Sequence, residues 1–201
     1  MSAPELSLPI RQRRKQARPS ELLDAALALF VEKGFAATRA EEVAHRAGVS
    51  KGTLYLYFPS KEELLKAVIR HTLSADIAGG REWVQAFNGT ASEALTELLS
   101  RWWERVYDSP NSAIFKLVLT EVRNFPDIAE FYAREVAAPG MELMSQLLQR
   151  GVDSGEFRPL DVRQAVYSLA LPMIMLCVHK HSLGACAVTQ DLLAEIGRAH
   201  V

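Results

Sequence analysis

Lys51, Gly52, Thr53, Tyr55 and Tyr57 fall within seven residues, and Lys61 follows four positions later. These are donor-bearing side chains around one glycine, a set suited to gripping a polyanion rather than to making or breaking bonds. A lysine ammonium is a flexible point charge, so Lys51 and Lys61 are expected at phosphates. Thr53 and Tyr55 can reach base edges or thymine methyls, and Gly52 lets the backbone approach closely. Arg39 is placed on the same surface. Tyr55 has a second reading, a ring packed inward against the first helix; a ring partly inside with its hydroxyl outward satisfies both. Leu54 and Phe58 are expected in the core. A nucleophile with its base, paired carboxylates in a pocket or a phosphate-cradling glycine loop is not visible, so neither enzymatic activity nor a cofactor is expected.

Two short helices must position this set. Thr38 and Glu41 have the spacing of a capping box, and Val43, Ala44 and Ala47 then share one helical face. Gly48 can take the left-handed conformation that ends a helix, and Ser50 is placed to cap the next one, Lys51–Phe58. The arrangement is that of a helix-turn-helix whose second helix enters a DNA major groove. Helix–Gly–helix corners also occur in all-α proteins at large. Two features favour DNA: Ala47 and Gly48 allow a close helix crossing, and the second helix exposes Lys, Thr and Tyr rather than a Glu/Lys mixture. Ahead of it, Arg11, Arg13, Arg14, Lys15 and Arg18 form a basic arm, readable as a solvated tail or as a reach toward phosphates or a minor groove.

The run AGVSKGTLYLYFPSKEELL, preceded by AALALFVEKGF and by Thr38, resembles the DNA-binding domain of tetracycline-repressor-type (TetR/AcrR) regulators. The resemblance extends from Arg18 to Arg70 without a gap, with the glycines, Val49, Leu54, Tyr55, Phe58 and Lys61 at the family's positions. Leu56 stands where many members carry an aromatic residue, which bears on base preference. The resemblance implies an all-α protein, with a three-helix helix-turn-helix domain followed by a larger helical domain for ligand binding and dimerisation. It implies a Tyr57 hydroxyl on a phosphate, a small-molecule pocket in the helical domain, and an isologous four-helix dimer interface built from the last two helices.

The rest of the chain fits one large domain or two smaller ones. Of its 201 residues 49% are hydrophobic and mean hydropathy is zero, as in a soluble globular protein. Charge is uneven: residues 1–70 carry twelve Lys/Arg against eight Asp/Glu, and the remainder eleven against sixteen. A basic N-terminal part joined to an acidic one suits DNA contact at one end. The expected organisation is a basic flexible arm at 1–17, a DNA-binding domain at 18–66 with its motif at about 39–58, and a regulatory and dimerisation domain at 67–201. With no apolar signal segment near the N-terminus, the expected location is the cytoplasm.

Helix 1 is expected to open at Pro19-Ser20 and to close at Gly34, with Leu22, Leu23, Ala26, Leu27 and Phe30 inward. Ser60 and Glu63 should start a long helix that ends at Gly79-Gly80 and connects the two parts. Pro139-Gly140 should kink or break a later helix, and no sheet is expected. Trp102, Phe115, Tyr132 and Met144 are candidates for lining the pocket, against the alternative of ordinary core packing. The apolar run Ala165–Val178 is short of the ~20 residues that span a membrane and contains Pro172. It is either central core or dimer interface; the interface reading names Val166, Leu169, Met173, Leu176 and, in the last helix, Leu193. Cys177, His179, His181 and Cys186 are read as a helix terminus rather than a metal site. The overall reading is a homodimeric DNA-binding regulator, a repressor that leaves a palindromic double-stranded operator when a small-molecule effector binds. The alternative is a helical ligand-binding protein that activates or does not regulate DNA.

Overall fold

The computed structural model describes residues 10–121 and 123–182, with side chains from Pro19 onward. The described residues form helices joined by turns and short loops, with no strand, and the chain divides into two compact units, Met1–Val68 and Ile69–Val201.

The first unit contains α1 (Ile10–Lys33), α2 (Ala40–Arg46), α3 (Lys51–Tyr57) and most of α4 (Lys61–Ile69). Helix α1 begins at Ile10 rather than at Pro19, so the basic stretch expected as an arm has helical backbone. Pro19 lies inside α1, where its missing N–H removes one intrahelical bond. The inward stripe Leu22, Leu23, Ala26, Leu27 and Phe30 is buried, and with Phe35, Val43, Leu54, Leu64, Leu65 and Val68 it closes a small core. Gly34 ends α1 at φ +83° and Gly48 ends the α2 segment at φ +67°, conformations that carry little strain only without a Cβ. Thr38 does not cap α2. Its side chain is buried, and the hydroxyl points back to the Gly34 carbonyl (2.7 Å) and the Leu29 carbonyl (3.1 Å), tying off the end of α1. The cap moves one residue on, where the Arg39 N–H donates to Glu42 Oε2 at 3.1 Å.

In the second unit, a π-helical turn at Arg70–Ser74 leads directly from α4 into α5 (Ala75–Ala86). Gly79-Gly80 does not stop this helix. A Cβ on Gly80 would stand 3.4 Å from both Leu98 and Leu143, so the glycine serves close packing instead. Helix α6 (Ala91–Trp102) starts with a true capping box, Thr90 and Glu93, and runs into a second π turn, Trp103–Tyr107. After a 3-10 turn at Pro110–Ser112 come α7 (Ala113–Glu121) and α8 (Pro126–Tyr132). A third π turn, Ala133–Ala137, joins α8 to α9 (Ala138–Asp153) and leaves the helix unbroken at Pro139-Gly140. Helix α10 (Val162–Lys180) carries Pro172 in its interior.

Candidate nucleic-acid interface and ligand cavity

Helix α3 is built to face outward. Ser50 Oγ accepts the Thr53 N–H at 3.1 Å, satisfying an orphan donor at the helix start, and also lies 2.9 Å from Thr53 Oγ1. The turn before it is closed by Gly48 N–H to the His45 carbonyl and Val49 N–H to the Ala44 carbonyl. Only Leu54 of α3 is buried, and it fixes the helix on the core. Lys51 and Gly52 are exposed, Thr53 and Tyr57 are half-buried, and Tyr55 is exposed at 40% with the Lys51 ammonium 5.8 Å from its ring centre. Phe58, expected in the core, is half-buried as the residue that caps the helix. A Cβ on Gly52 would meet nothing nearer than Ser50 Oγ at 3.8 Å. No internal packing requires this glycine, which leaves approach from outside as its physical use.

The cations of this unit are largely engaged. Lys51 pairs with Glu41, and the hydrogen bond between them raises the lysine pKa and lowers the carboxylate's. Arg46 grips both oxygens of Glu32 (2.7 and 2.9 Å), and Lys33 pairs with Glu42 at 2.5 Å. Arg39 has an exposed guanidinium with no ion pair among the described residues. Exposed pairs of this kind are worth little and exchange readily for phosphate.

Lys61 is the exception to the expected set. Its ammonium donates to the carbonyls of Phe35 (2.8 Å), Ala36 (3.1 Å) and Thr38 (3.1 Å), and sits 4.5 Å from the centre of the Phe35 ring. All three N–H donors are therefore spent inside the domain, holding the α1–α2 connection to α4. No donor remains for a phosphate. Leu56, in contrast, was not among the expected contacts, yet it is 84% exposed in the middle of α3. Its departure from the aromatic common at that position was the one available signal. A bare leucine on such a surface has the chemistry to meet a thymine methyl.

The second unit encloses a cavity of about 330 Å³, and Trp102, Phe115, Tyr132 and Met144 all line it. Its size lies at the lower end of the range for small-molecule sites. The Trp102 and Phe115 rings are 6.4 Å apart. Burial pushes the Tyr132 hydroxyl up to about 12, so it stays neutral and able to donate. Residues of all three π turns, or directly beside them, form part of the wall: Leu73, Val106 and Val136 among them. A π turn widens a helix locally and turns its side chains out of register, a device frequent at functional sites.

Along α10, two of the residues expected at a dimer interface are occupied within the chain. Val166 is 2% exposed, in the core, and Met173 lines the cavity. Leu169 and Leu176 are half-buried, while the outward stripe consists of Tyr167, Leu171 and Met175, each at least 37% exposed. The helix has 19 residues and a mean hydropathy of 1.3, enough by length and composition to cross a membrane, but with 17% of that stretch buried. This exceeds the length that the apolar run alone suggests. Leu193 and Cys186 lie outside the described residues. Cys177 is fully buried and its thiol is pushed up to about 12 by burial. His181 Nε2 lies 2.8 Å from Ser112 Oγ, whose own proton goes to the Ser109 carbonyl, so the imidazole is the donor.

A family model described as bacterial regulatory proteins of the tetR family matches residues 22–68, and one described as the tetracyclin repressor-like C-terminal domain matches residues 88–196. Over 153 residues the chain is 34% identical to the HTH-type transcriptional repressor KstR2 of Rhodococcus jostii (strain RHA1), covering 75% of this chain and 74% of that protein. It is 29% identical over 154 residues to the fatty acid metabolism regulator protein of Bacillus subtilis (strain 168), covering 75% and 78%. Among solved structures, the transcriptional regulator FadR from Bacillus subtilis in complex with stearoyl-CoA superposes with a TM-score of 0.66 at 24% identity. That match covers 86% of this chain and 88% of the other.

Proposed function

The chain belongs to the TetR family of bacterial regulatory proteins and is a DNA-binding transcriptional regulator; we propose that it is a homodimeric repressor, released from its operator when an acyl-chain ligand fills the cavity of the second unit. The observation that carries this reading is the coexistence of an outward-facing α3 with an apolar cavity in the unit that follows. On the DNA side, Lys51, Arg39 and the Tyr57 hydroxyl meet phosphates, while Thr53, Tyr55 and Leu56 meet base edges, with Gly52 allowing the approach. On the ligand side, the cavity wall is mostly aliphatic and aromatic. Two of the compared proteins are named for fatty acid metabolism or hold a long-chain acyl-CoA, which supports an acyl chain here.

The stripe Tyr167, Leu171 and Met175 recurs every fourth residue along α10, the spacing of one helix face. We assign it to a second copy of the chain rather than to lipid, because Val166 and Cys177 of the same helix are buried against their own protomer. Dimerisation sets two recognition helices about 34–36 Å apart, the spacing of successive major grooves on one face of a duplex. The segment from α4 through the π turn to α5 is the covalent link along which a filled cavity biases that spacing. A ligand shifts the population only by its differential affinity for the two states, typically about 1–3 kcal/mol of coupling. A DNA partner supports a cytoplasmic location.

The test is titration of a duplex operator, isolated by selection from random sequence, at rising salt and with or without dodecanoyl-CoA. Steeply salt-dependent binding of two chains per palindrome, weakened by the acyl-CoA, is the expected result. Binding indifferent to salt, or a preference for single strands, removes the DNA assignment. Operator affinity unchanged at saturating ligand removes the release step.

A further inference from the structure

Among the described residues, three charged side chains border a mostly apolar cavity: Asp76, Arg101 and Arg105. Arg101 is engaged elsewhere, its Nε donating to Glu97 Oε1 at 2.9 Å and its guanidinium lying 4.5 Å from the Trp83 ring centre. Arg105 donates to Asp76 through Nε (2.9 Å) and Nη2 (2.7 Å), and both bonds end on the same oxygen, Oδ1. A guanidinium has five N–H donors, so three of those on Arg105 are not used by this pair. The Arg105 side chain is 68% exposed and that of Asp76 only 17%. An anionic group arriving from solvent therefore finds fixed, available donors without breaking the pair. A cationic group would have to displace the guanidinium from Asp76 first. Beyond this charged border, the Tyr132 hydroxyl has no hydrogen-bond partner among the described residues and stays protonated, giving the wall one more donor.

The pair also has a special place in the fold. Arg105 belongs to the π turn Trp103–Tyr107, and Asp76 lies two residues beyond the π turn Arg70–Ser74. Their hydrogen bonds thus join one π turn to the first turn of α5, just beyond the other, across 29 residues of sequence. Resting on the ligand-released reading above, we propose that Arg105, held in position by Asp76, binds the anionic end of an amphipathic ligand whose apolar chain occupies the cavity. The anion can be the carboxylate of a free fatty acid or a phosphate of its coenzyme A ester. Both present oxygens that a guanidinium fork matches.

The experiment is a tryptophan-fluorescence titration of the full chain with dodecanoate, dodecanoyl-CoA, dodecanol and dodecyltrimethylammonium, repeated on Arg105→Gln and Arg105→Lys. At least one anionic probe should bind about tenfold or more tightly than dodecanol, the lower end expected of a hydrogen bond to a charged group. Arg105→Gln should abolish that preference with dodecanol affinity unchanged, and Arg105→Lys should retain part of it. Which anionic probe gains identifies the source of the charge. The proposal is overturned if dodecanol or the ammonium compound matches the anionic probes on the wild type, if the preference survives in Arg105→Gln, or if none of the four binds. Operator titration alongside separates the two readings. An Arg105-dependent preference with no operator release supports the assignment of Arg105 and removes only the release step.

Discussion

Replacing Lys61 by methionine should unlatch the DNA-binding unit rather than subtract one phosphate contact. Methionine keeps the aliphatic stem against Phe35 and deletes the ammonium. The loss comprises bonds to the Phe35, Ala36 and Thr38 carbonyls and the cation over the Phe35 ring. A hydrogen bond to a charged group is worth about 1.5–3 kcal/mol net, and a cation over an aromatic face about 0.5–2. The Ala36 carbonyl lies in an exposed contact and regains water, and the freed side chain regains roughly 2 kcal/mol of rotamer entropy. The remaining cost, two such bonds and the ring contact less that entropy, is about 1.5–6 kcal/mol, which for a unit of this size lowers its melting temperature by roughly 6 °C or more. Melting followed by circular dichroism, with amide exchange to localise the loss to α1, α2 and α4, measures it. Operator titration across salt provides the second readout. A lost phosphate contact flattens the dependence of log K on log salt by about 0.9, whereas a structural role leaves the slope of the folded fraction unchanged. Unchanged melting together with a flattened slope would refute the reasoning and return Lys61 to the phosphate backbone.

Leu56→Asn should leave melting unchanged, since the side chain is 84% exposed, and should shift the selected operator at one position, by about 1–3 kcal/mol of discrimination; identical selected sequences would show that Leu56 touches no base. Leu171→Glu should convert the proposed dimer to a folded monomer in sedimentation and weaken operator binding far beyond a single contact's worth, because even a neutralised carboxyl group without a hydrogen-bond partner in a dry interface costs about 2–7 kcal/mol; a variant that stays dimeric moves the interface off this stripe. Burial first, then Lys180 and Lys116, lowers the His181 pKa below its ordinary 6.5. The unfolded chain therefore takes up the proton before the folded one, so stability is full above that value and falls as pH drops through the interval below it. His181→Gln, which retains a donor toward Ser112, should flatten the melting profile across that interval, and an unaltered profile would exclude His181 as its source.

What could be read ahead of the structure was whatever local backbone chemistry decides. Gly48 and Ser50 act through their own φ angle and the N–H three residues on, and both behave as their residue types require. The cavity residues Trp102, Phe115, Tyr132 and Met144 share inward faces of helices whose apolar spacing is plain in the chain. The internal role of Lys61 is not legible in the sequence, because its partners lie 23–26 residues away, in a connection whose path no short-range pattern encodes. Thr38 went the same way: its spacing to Glu41 suits a cap, but the carbonyls ending α1 were nearer. The Gly79-Gly80 pair has the composition of a helix stop, yet α6 and α9 bring Leu98 and Leu143 against Gly80 and reward a continuous helix with no side chain there.

The apolar helix α10 shows why burial, and not hydropathy, separates the meanings of such a segment. By composition it satisfies a core helix, an interface and a membrane span alike. In the structure its circumference divides into three parts: Val166 and Cys177 in the core, Ala170, Met173 and Ile174 on the cavity, and Tyr167, Leu171 and Met175 open to solvent. Each sector has its own reason to be apolar, and no alternation remains for a sequence pattern to register. One helix therefore packs its own unit and walls the cavity, and on the proposed reading its open stripe faces a second copy. A ligand that presses on Met173 or Ile174 acts on the same rigid rod that carries Leu171. Such an element couples effector to dimer geometry without an additional relay, provided its two positions differ in energy by no more than the coupling a ligand supplies.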